Sequence, residues 1–135
     1  MEKTITNQEL IAKAKQAMTY AYTPYSNFNV GAALLAADGR VFLGCNIENA
    51  SYGATNCAER TAIFKAISEG AKDFVKIAIV SSAQDVTYPC GICRQVLAEH
   101  MPEGRLLFED AKGNIVEHGM DEILPLVFSK KDLEK

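Results

Sequence analysis

Three of the four cysteines in the chain sit in two short stretches, Cys57-Ala58-Glu59 and Pro89-Cys90-Gly91-Ile92-Cys93. Each stretch falls where the residue pattern starts a helix. Backbone N–H groups point outward at such an end, and the helix dipole is positive there. Both effects favour thiolate over thiol, and thiolate is the form that binds metal. Cys90 and Cys93 are spaced i, i+3 and share a helical face; Cys57, from another helix, completes a candidate set of three. Three protein ligands leave one tetrahedral position for water, the pattern of a catalytic zinc rather than a structural one. Thiolates also suit zinc better than magnesium or calcium.

Three thiolates outweigh the charge of one Zn²⁺. Water at the open position should then be less acidic than in a three-histidine site, where its pKa falls to about 7. Two helix N-termini offset this, and Arg60 and Arg94 lie beside the ligands in sequence. At least one of these arginines is expected to donate hydrogen bonds to the thiolates. Glu59 is a geometric problem, because residues at i, i+2 do not face each other in a helix interior. Cys57 and Glu59 reach a common water only from the first helical turn, with the ion off the helix end. Placed so, Glu59 takes a proton from the water and returns it to substrate, as a general acid–base and not a ligand.

Plainer readings compete. Asn56 and Glu59 have the spacing of a capping box. A lone Cys-x-x-Cys in a small α/β protein is often redox-active or structural, although the thioredoxin-like pattern places it earlier, after the first strand. Cys45 reads as a small buried hydrophobe at a strand end. His100 and His118 read as solvated, at a helix end and in a loop.

The elements that must position these residues follow from periodicity. Thr6-Asn7-Gln8-Glu9 has the form of a capping box, and Leu10, Ile11, Ala14, Ala17, Met18 and Ala21 follow at helical spacing. A helix is expected over 7–21, stopping before Pro24. Strands are expected over 28–37 and 40–47 around an Asp38-Gly39 turn, then a loop over 48–56. A helix over 57–69 puts Ala62, Ile63, Ala66 and Ile67 inward and stops at Gly70. Next come a strand over 74–82, a helix over 91–100 ending before Pro102, and short strands over 105–109 and 114–117. A last short helix starts at Asp121, and the tail from Ser129 is charged. The order αββαβαββα, with strand–helix–strand crossovers, points to one α/β domain over residues 1–135, a mixed sheet with helices on its faces.

Composition narrows the function. The chain has 135 residues, 48% hydrophobic and 23% charged, which suits one compact domain and not a disordered chain. No apolar run approaches the roughly 18 residues of a membrane span. The polar start, Met1 to Leu10, lacks the apolar centre of a signal peptide. These features lead to the expectation of a soluble cytoplasmic protein, without membrane contact and with reduced cysteines. The net charge is −3, and no basic block exceeds Lys130-Lys131. Polynucleotide binding relies on basic patches, so a small neutral ligand is favoured over nucleic acid.

Three motifs together resemble the small homotetrameric cytidine deaminases: Asn46-Ile47-Glu48-Asn49-Ala50-Ser51-Tyr52, Cys57-Ala58-Glu59-Arg60 and Pro89-Cys90-Gly91-Ile92-Cys93-Arg94-Gln95. The likeness covers nearly the whole chain. It implies a five-stranded mixed sheet flanked by helices, and one zinc ion per subunit held by Cys57, Cys90 and Cys93, with Glu59 moving protons. It implies that Asn46 and Glu48, with Ile47 between them, form the strip that binds the ribose 3′-hydroxyl. Phe28 would pack on the pyrimidine, and Ala58 would offer its backbone to the base edge. Phe128 matches an aromatic that crosses a subunit interface, so active sites would be shared within a homotetramer. The implied reaction turns cytidine and 2′-deoxycytidine into uridine and 2′-deoxyuridine with loss of ammonia, in pyrimidine salvage. Glu48 suits a hydroxyl and repels phosphate, favouring nucleosides over nucleotides. Ile92 departs from the family, which usually has alanine there. Two alternatives are a deaminase of a related aminonucleoside such as blasticidin S, and a zinc-stabilised or thiol-redox module without enzymatic activity.

Overall fold

The computed structural model describes residues 5–134; Met1 to Thr4, the start of the polar leading stretch, and Lys135 lie outside the described residues. Helix α1 (Asn7–Met18) opens on the expected capping box: Thr6 Oγ1 accepts from Glu9 N–H, and the Glu9 carboxylate accepts from Thr6 N–H. Strands β1 (Val30–Ala36) and β2 (Val41–Cys45) form the hairpin, followed by a 3₁₀ turn at Tyr52–Ala54. Then come α2 (Ala58–Ser68), β3 (Phe74–Ser81), α3 (Gly91–His100), β4 (Arg105–Glu109), β5 (Ile115–Gly119), α4 (Met120–Ile123) and α5 (Lys130–Leu133). The sheet order is β2-β1-β3-β4-β5. Only β3 and β4 pair in parallel; the other neighbours are antiparallel, so the sheet is mixed as expected. Among the described residues, no helix is long and apolar enough to cross a membrane.

Strand β1 is buried at every position, because helices cover both faces of the sheet. Ala33 and Leu35 face α1 with Leu10, Ile11, Ala14, Ala78, Val80 and Leu107. Ala32 and Leu34 belong to the opposite core, with Ala62, Ile63, Ile77, Ile79, Leu97, Leu106 and Phe108. Two glycines let the helices come close. A β-carbon on Gly31 would lie 2.0 Å from the Ala14 carbonyl oxygen, and one on Gly44 would lie 2.4 Å from the Ala58 carbonyl oxygen. Gly44 therefore sets how closely the first turn of α2 can approach β2.

The departures from expectation have local causes. Helix α1 ends at Met18, not near residue 21: the Thr19 hydroxyl bonds back to the Gln16 carbonyl, and Tyr22 N–H is taken by the Asn46 carbonyl. The first two strands are shorter than 28–37 and 40–47 because Phe28 and Asn46–Glu48 spend their backbone groups on the site described below. Ile67 is 38% exposed, not inward; with Phe64 at i−3 it forms a separate apolar stripe facing away from the sheet. His118 lies on β5 and not in a loop, half-buried, with Nδ1 3.0 Å from Glu122 Oε2 and its ring beside Tyr88 and Phe108. The charged tail contains a helical turn, α5, where Ser129 N–H donates to Asp132.

Candidate metal centre and substrate strip

Cys57 is the N-cap of α2, Cys90 is the N-cap of α3, and Cys93 is the third residue of α3. Neither N-cap sulfur makes a side-chain cap hydrogen bond. The three sulfurs lie within 4.8 Å of one another, and Cys57 Sγ is 3.8 Å from Cys90 Sγ. Tetrahedral zinc with Zn–S near 2.3 Å requires sulfurs about 3.8 Å apart, so the donor set fits the ion. Cys93 is buried, Cys57 half-buried and Cys90 exposed; Cys45 stands apart at the end of β2, and burial pushes its thiol pKa up.

Within the sulfur cluster, the Cys93 thiol donates toward Cys57 and holds the Cys57 pKa down, to about 5, with Arg60 adding to the effect. Cys93 itself is correspondingly raised by the bond to Cys57 and by burial. Arg60 Nη2 donates to Cys57 Sγ at 3.3 Å. Its Nε is buried without a hydrogen-bond partner among the described residues, a penalty offset by attraction between the guanidinium and the sulfurs. One of the two candidate arginines thus meets the thiolates. Arg94 goes elsewhere: Nε donates to the Pro89 carbonyl and Nη1 to the Ile123 carbonyl, both at 2.8 Å, which ties the turn before Cys90 to α4. Ile92 is 62% exposed and points away from the core between its two cysteine neighbours.

Glu59 is the second residue of α2, in the first turn as the geometry demanded, and only 4% exposed. Burial pushes its pKa up to about 7 against the partial opposition of its own backbone N–H, Cys93 and Arg60. A carboxyl group poised near neutral pH can accept a proton and give it back. The capping-box reading of Asn56 and Glu59 does not hold. Cys57 occupies the N-cap, while the Asn56 amide donates to Thr61 Oγ1 at 3.0 Å.

Residues 46–48 leave the sheet and are stitched between two other segments. Tyr22 N–H donates to the Asn46 carbonyl at 3.0 Å, and Glu48 N–H to the Tyr22 carbonyl at 2.8 Å. On the other side, Ile47 and Asn56 exchange two bonds of 2.9 Å, directly before Cys57. The Asn46 side chain accepts from Val30 N–H at 2.9 Å and donates to the Phe28 carbonyl at 2.8 Å. One amide hydrogen and one lone pair remain. Glu48 Oε1 accepts from Tyr25 N–H and Ser26 N–H, and Oε2 from the Ser26 hydroxyl. The Ser26 hydroxyl, followed by the two N–H groups, holds the Glu48 pKa below the usual carboxylate range.

Phe28 and Ile47 are 38% and 45% exposed, whereas Ala58 is fully buried. Phe128 is 59% exposed, its carbonyl held by Gln95 Nε2 at 2.6 Å. Glu48 opens on a pocket of about 360 Å³, also lined by Tyr25, Ser26, Tyr52 and Thr55. Of these, Tyr25, Ser26 and Thr55 carry no chemical signal in the sequence. A larger cavity of about 900 Å³, lined by Ile5, Lys13, Asp38, Arg40 and Lys76 among others, contains none of the site residues.

Comparison with known proteins fits this geometry. Residues 4–106 match the family described as "Cytidine and deoxycytidylate deaminase zinc-binding region". The chain is 50% identical over 127 residues to a cytidine deaminase of Sporosarcina psychrophila, covering 93% of each chain. Its fold is similar to the crystal structure of cytidine deaminase from Burkholderia pseudomallei, with a TM-score of 0.87 and 46% identity over 92% of this chain and 100% of that one. A blasticidin-S deaminase of Bacillus cereus is more distant, at 32% identity over 130 residues, covering 90% of this chain and 91% of that one.

Two outcomes follow from the charge balance. Arg60→Ala should release zinc at a lower chelator concentration than wild type, because the thiolates lose their cation; Arg94→Ala should release it later than Arg60→Ala. Chelator titration with a zinc dye reads the order, and equal release by wild type and Arg60→Ala would contradict it. The second concerns pH. Folding raises Glu59 from its ordinary 4.5 to about 7, so the folded chain keeps a proton that the unfolded chain gives up. Stability is therefore lost as pH climbs from 4.5 through 7, and Glu59→Gln escapes that loss. In zinc-stripped protein, urea denaturation should show Glu59→Gln more stable than wild type by about 3 kcal/mol at pH 8, converging toward pH 4.5. Parallel pH curves would contradict the burial effect.

Proposed function

The chain belongs to the cytidine and deoxycytidylate deaminase zinc-binding family, and on that premise we propose how its residues divide the work of hydrolytic cytidine deamination. Cys57, Cys90 and Cys93 hold one zinc ion per subunit. Zinc bound there supplies the Lewis acidity that makes water a nucleophile near neutral pH. Glu59 takes a proton from the water that attacks C4 of the base and delivers a proton to N3. It then takes the remaining proton from the new C4 hydroxyl and gives it to the amino group; the C4–N bond breaks as the C4 carbonyl forms, and uridine and ammonia leave. The observation that carries this reading is the buried Glu59 carboxyl at the start of α2, in the helix that Cys57 caps, with the three sulfurs gathered at that end. Arg60 offsets the surplus negative charge of the thiolates, while Arg94 steadies the turn that presents Cys90.

The base packs on Phe28 and meets the backbone of Ala58. Asn46 and Glu48, with Ile47 between them, receive the sugar. Glu48 has three of about four acceptor sites filled, so one hydroxyl can be received. Ribose and 2′-deoxyribose both carry a 3′-hydroxyl, which supports action on cytidine and 2′-deoxycytidine. A carboxylate at that point repels phosphate and disfavours nucleotides. The same strip favours a nucleoside over blasticidin S.

The protein works as a homotetramer in the cytoplasm, in pyrimidine salvage. Exposed apolar residues support association: Phe64 and Ile67 on α2, and Leu126, Val127 and Phe128 near the C-terminus. In that assembly Phe128 reaches a neighbouring subunit's site. Four free cysteines suit a reducing compartment.

Glu59→Gln should keep its zinc and lose about 10²–10⁴-fold in the rate of ultraviolet loss of cytidine, with blasticidin S left intact by wild type. Undiminished turnover in Glu59→Gln would return the cluster to a structural or redox role. Light scattering should give the mass of four chains; a monomer would remove the shared site.

A further inference from the structure

Three residues assigned above to the nucleoside, Phe28, Asn46 and Glu48, lie on two separate segments, and one hydroxyl group links them. Pro24 to Asn27 form a turn in which Asn27 N–H donates to the Thr23 carbonyl at 3.0 Å and Asn27 takes φ 58°, a conformation asparagine tolerates. The turn aims three donors at one carboxylate: Tyr25 N–H at 3.0 Å, Ser26 N–H at 3.2 Å, and the Ser26 hydroxyl. The two N–H groups fill Oε1, and the hydroxyl alone holds Oε2. Ser26 Oγ also accepts from Phe28 N–H at 3.0 Å, which fixes the direction of the hydroxyl proton toward Glu48. The Phe28 carbonyl in turn accepts from Asn46 Nδ2 at 2.8 Å. A continuous path of hydrogen bonds thus runs from Glu48 through Ser26 and Phe28 to Asn46.

We propose that Ser26 is a positioning residue for sugar recognition, its hydroxyl setting the rotation of the Glu48 carboxylate so that the remaining lone pair of Oε2 faces the nucleoside. The proposal rests on the assignment of Glu48 to the sugar hydroxyl. Ser26 itself needs no contact with substrate. Its side chain is exposed and fills no core space, so losing the hydroxyl leaves the fold and the zinc ligands in place. The Oε1 bonds come from backbone and survive substitution; the Oε2 bond does not. Without it the carboxylate turns freely about Oε1, and the sugar hydroxyl meets an acceptor that is no longer preset.

Steady-state kinetics of the full-length zinc-loaded enzyme test this on cytidine and on 2′,3′-dideoxycytidine, which lacks the hydroxyl that Glu48 receives. Ser26→Ala should raise KM for cytidine about tenfold, the size expected for a hydrogen bond to a charged group, with kcat within about twofold, a ground-state binding effect. Its KM for the dideoxynucleoside should equal that of wild type, and Ser26→Thr, which keeps the hydroxyl, should recover cytidine KM. Melting temperature and zinc content should match wild type. An unchanged cytidine KM, an equal rise on both nucleosides, or a loss carried by kcat or zinc content would each overturn the proposal. Glu48→Ala separates the two layers. If it raises cytidine KM while Ser26→Ala does not, Ser26 alone is wrong; if Glu48→Ala is silent, the sugar assignment fails and takes the proposal with it.

Discussion

Three cysteine sulfurs lie within 4.8 Å of one another, where three thiolates would repel, and the architecture around them answers that repulsion. Two helices point their N-termini at the same spot, so the positive ends of two dipoles face the sulfurs. The guanidinium of Arg60 adds a full charge from the side. These supports come from different parts of the chain, and the sheet brings them together: α2 rests closely on β2 at Gly44, while α3 begins after the turn that follows β3 and packs beside α2. Moving either helix by a turn would scatter the ligands.

The same arrangement accounts for Glu59. A buried carboxyl group is ordinarily a liability, since burial disfavours its charged form. Here the first turn of α2 is pressed against the core by Ala58 and Ala62, and Glu59 is carried inward with them. Its raised pKa follows from placement, and placement follows from the small residues around it. The stability given up there is regained in the apolar cores on both faces of the sheet. The raised pKa of Glu59 is thereby tied to a fold feature with no chemical character of its own, the small buried side chains of Ala58 and Ala62 at the start of α2.

The strip from Asn46 to Glu48 is built on another principle. Asn46 to Glu48 leave the sheet but keep sheet-like bonds, to Tyr22 on one side and to Asn56 on the other. Asn56 precedes Cys57, so the strip and the metal centre are fixed relative to each other through one short backbone ladder. This explains why α1 and the first two strands stop earlier than their apolar patterns suggest. Residues 19–22, Phe28 and Asn46–Glu48 have the composition of element ends, yet their hydrogen-bonding groups are committed across the site. Hydrophobic periodicity records burial and is blind to such commitments.

Residue types and spacing by themselves determined the metal chemistry, the first-turn position of Glu59 and the order of the main elements, because each depends on local rules: ligand softness, the 3.6-residue repeat, and the end effects of helices. The motifs were also enough to identify the family. Tertiary structure decided whatever depends on which distant groups meet. Arg60 and not Arg94 faces the sulfurs, although both are adjacent to ligands in sequence. His118 joins an aromatic cluster at the sheet edge, and Ile67 turns outward with Phe64. Ser26, which no motif in the sequence marks, links Glu48 to Phe28. Hydrogen-bond partners twenty or more residues apart leave no periodic trace, so only the folded chain reveals them.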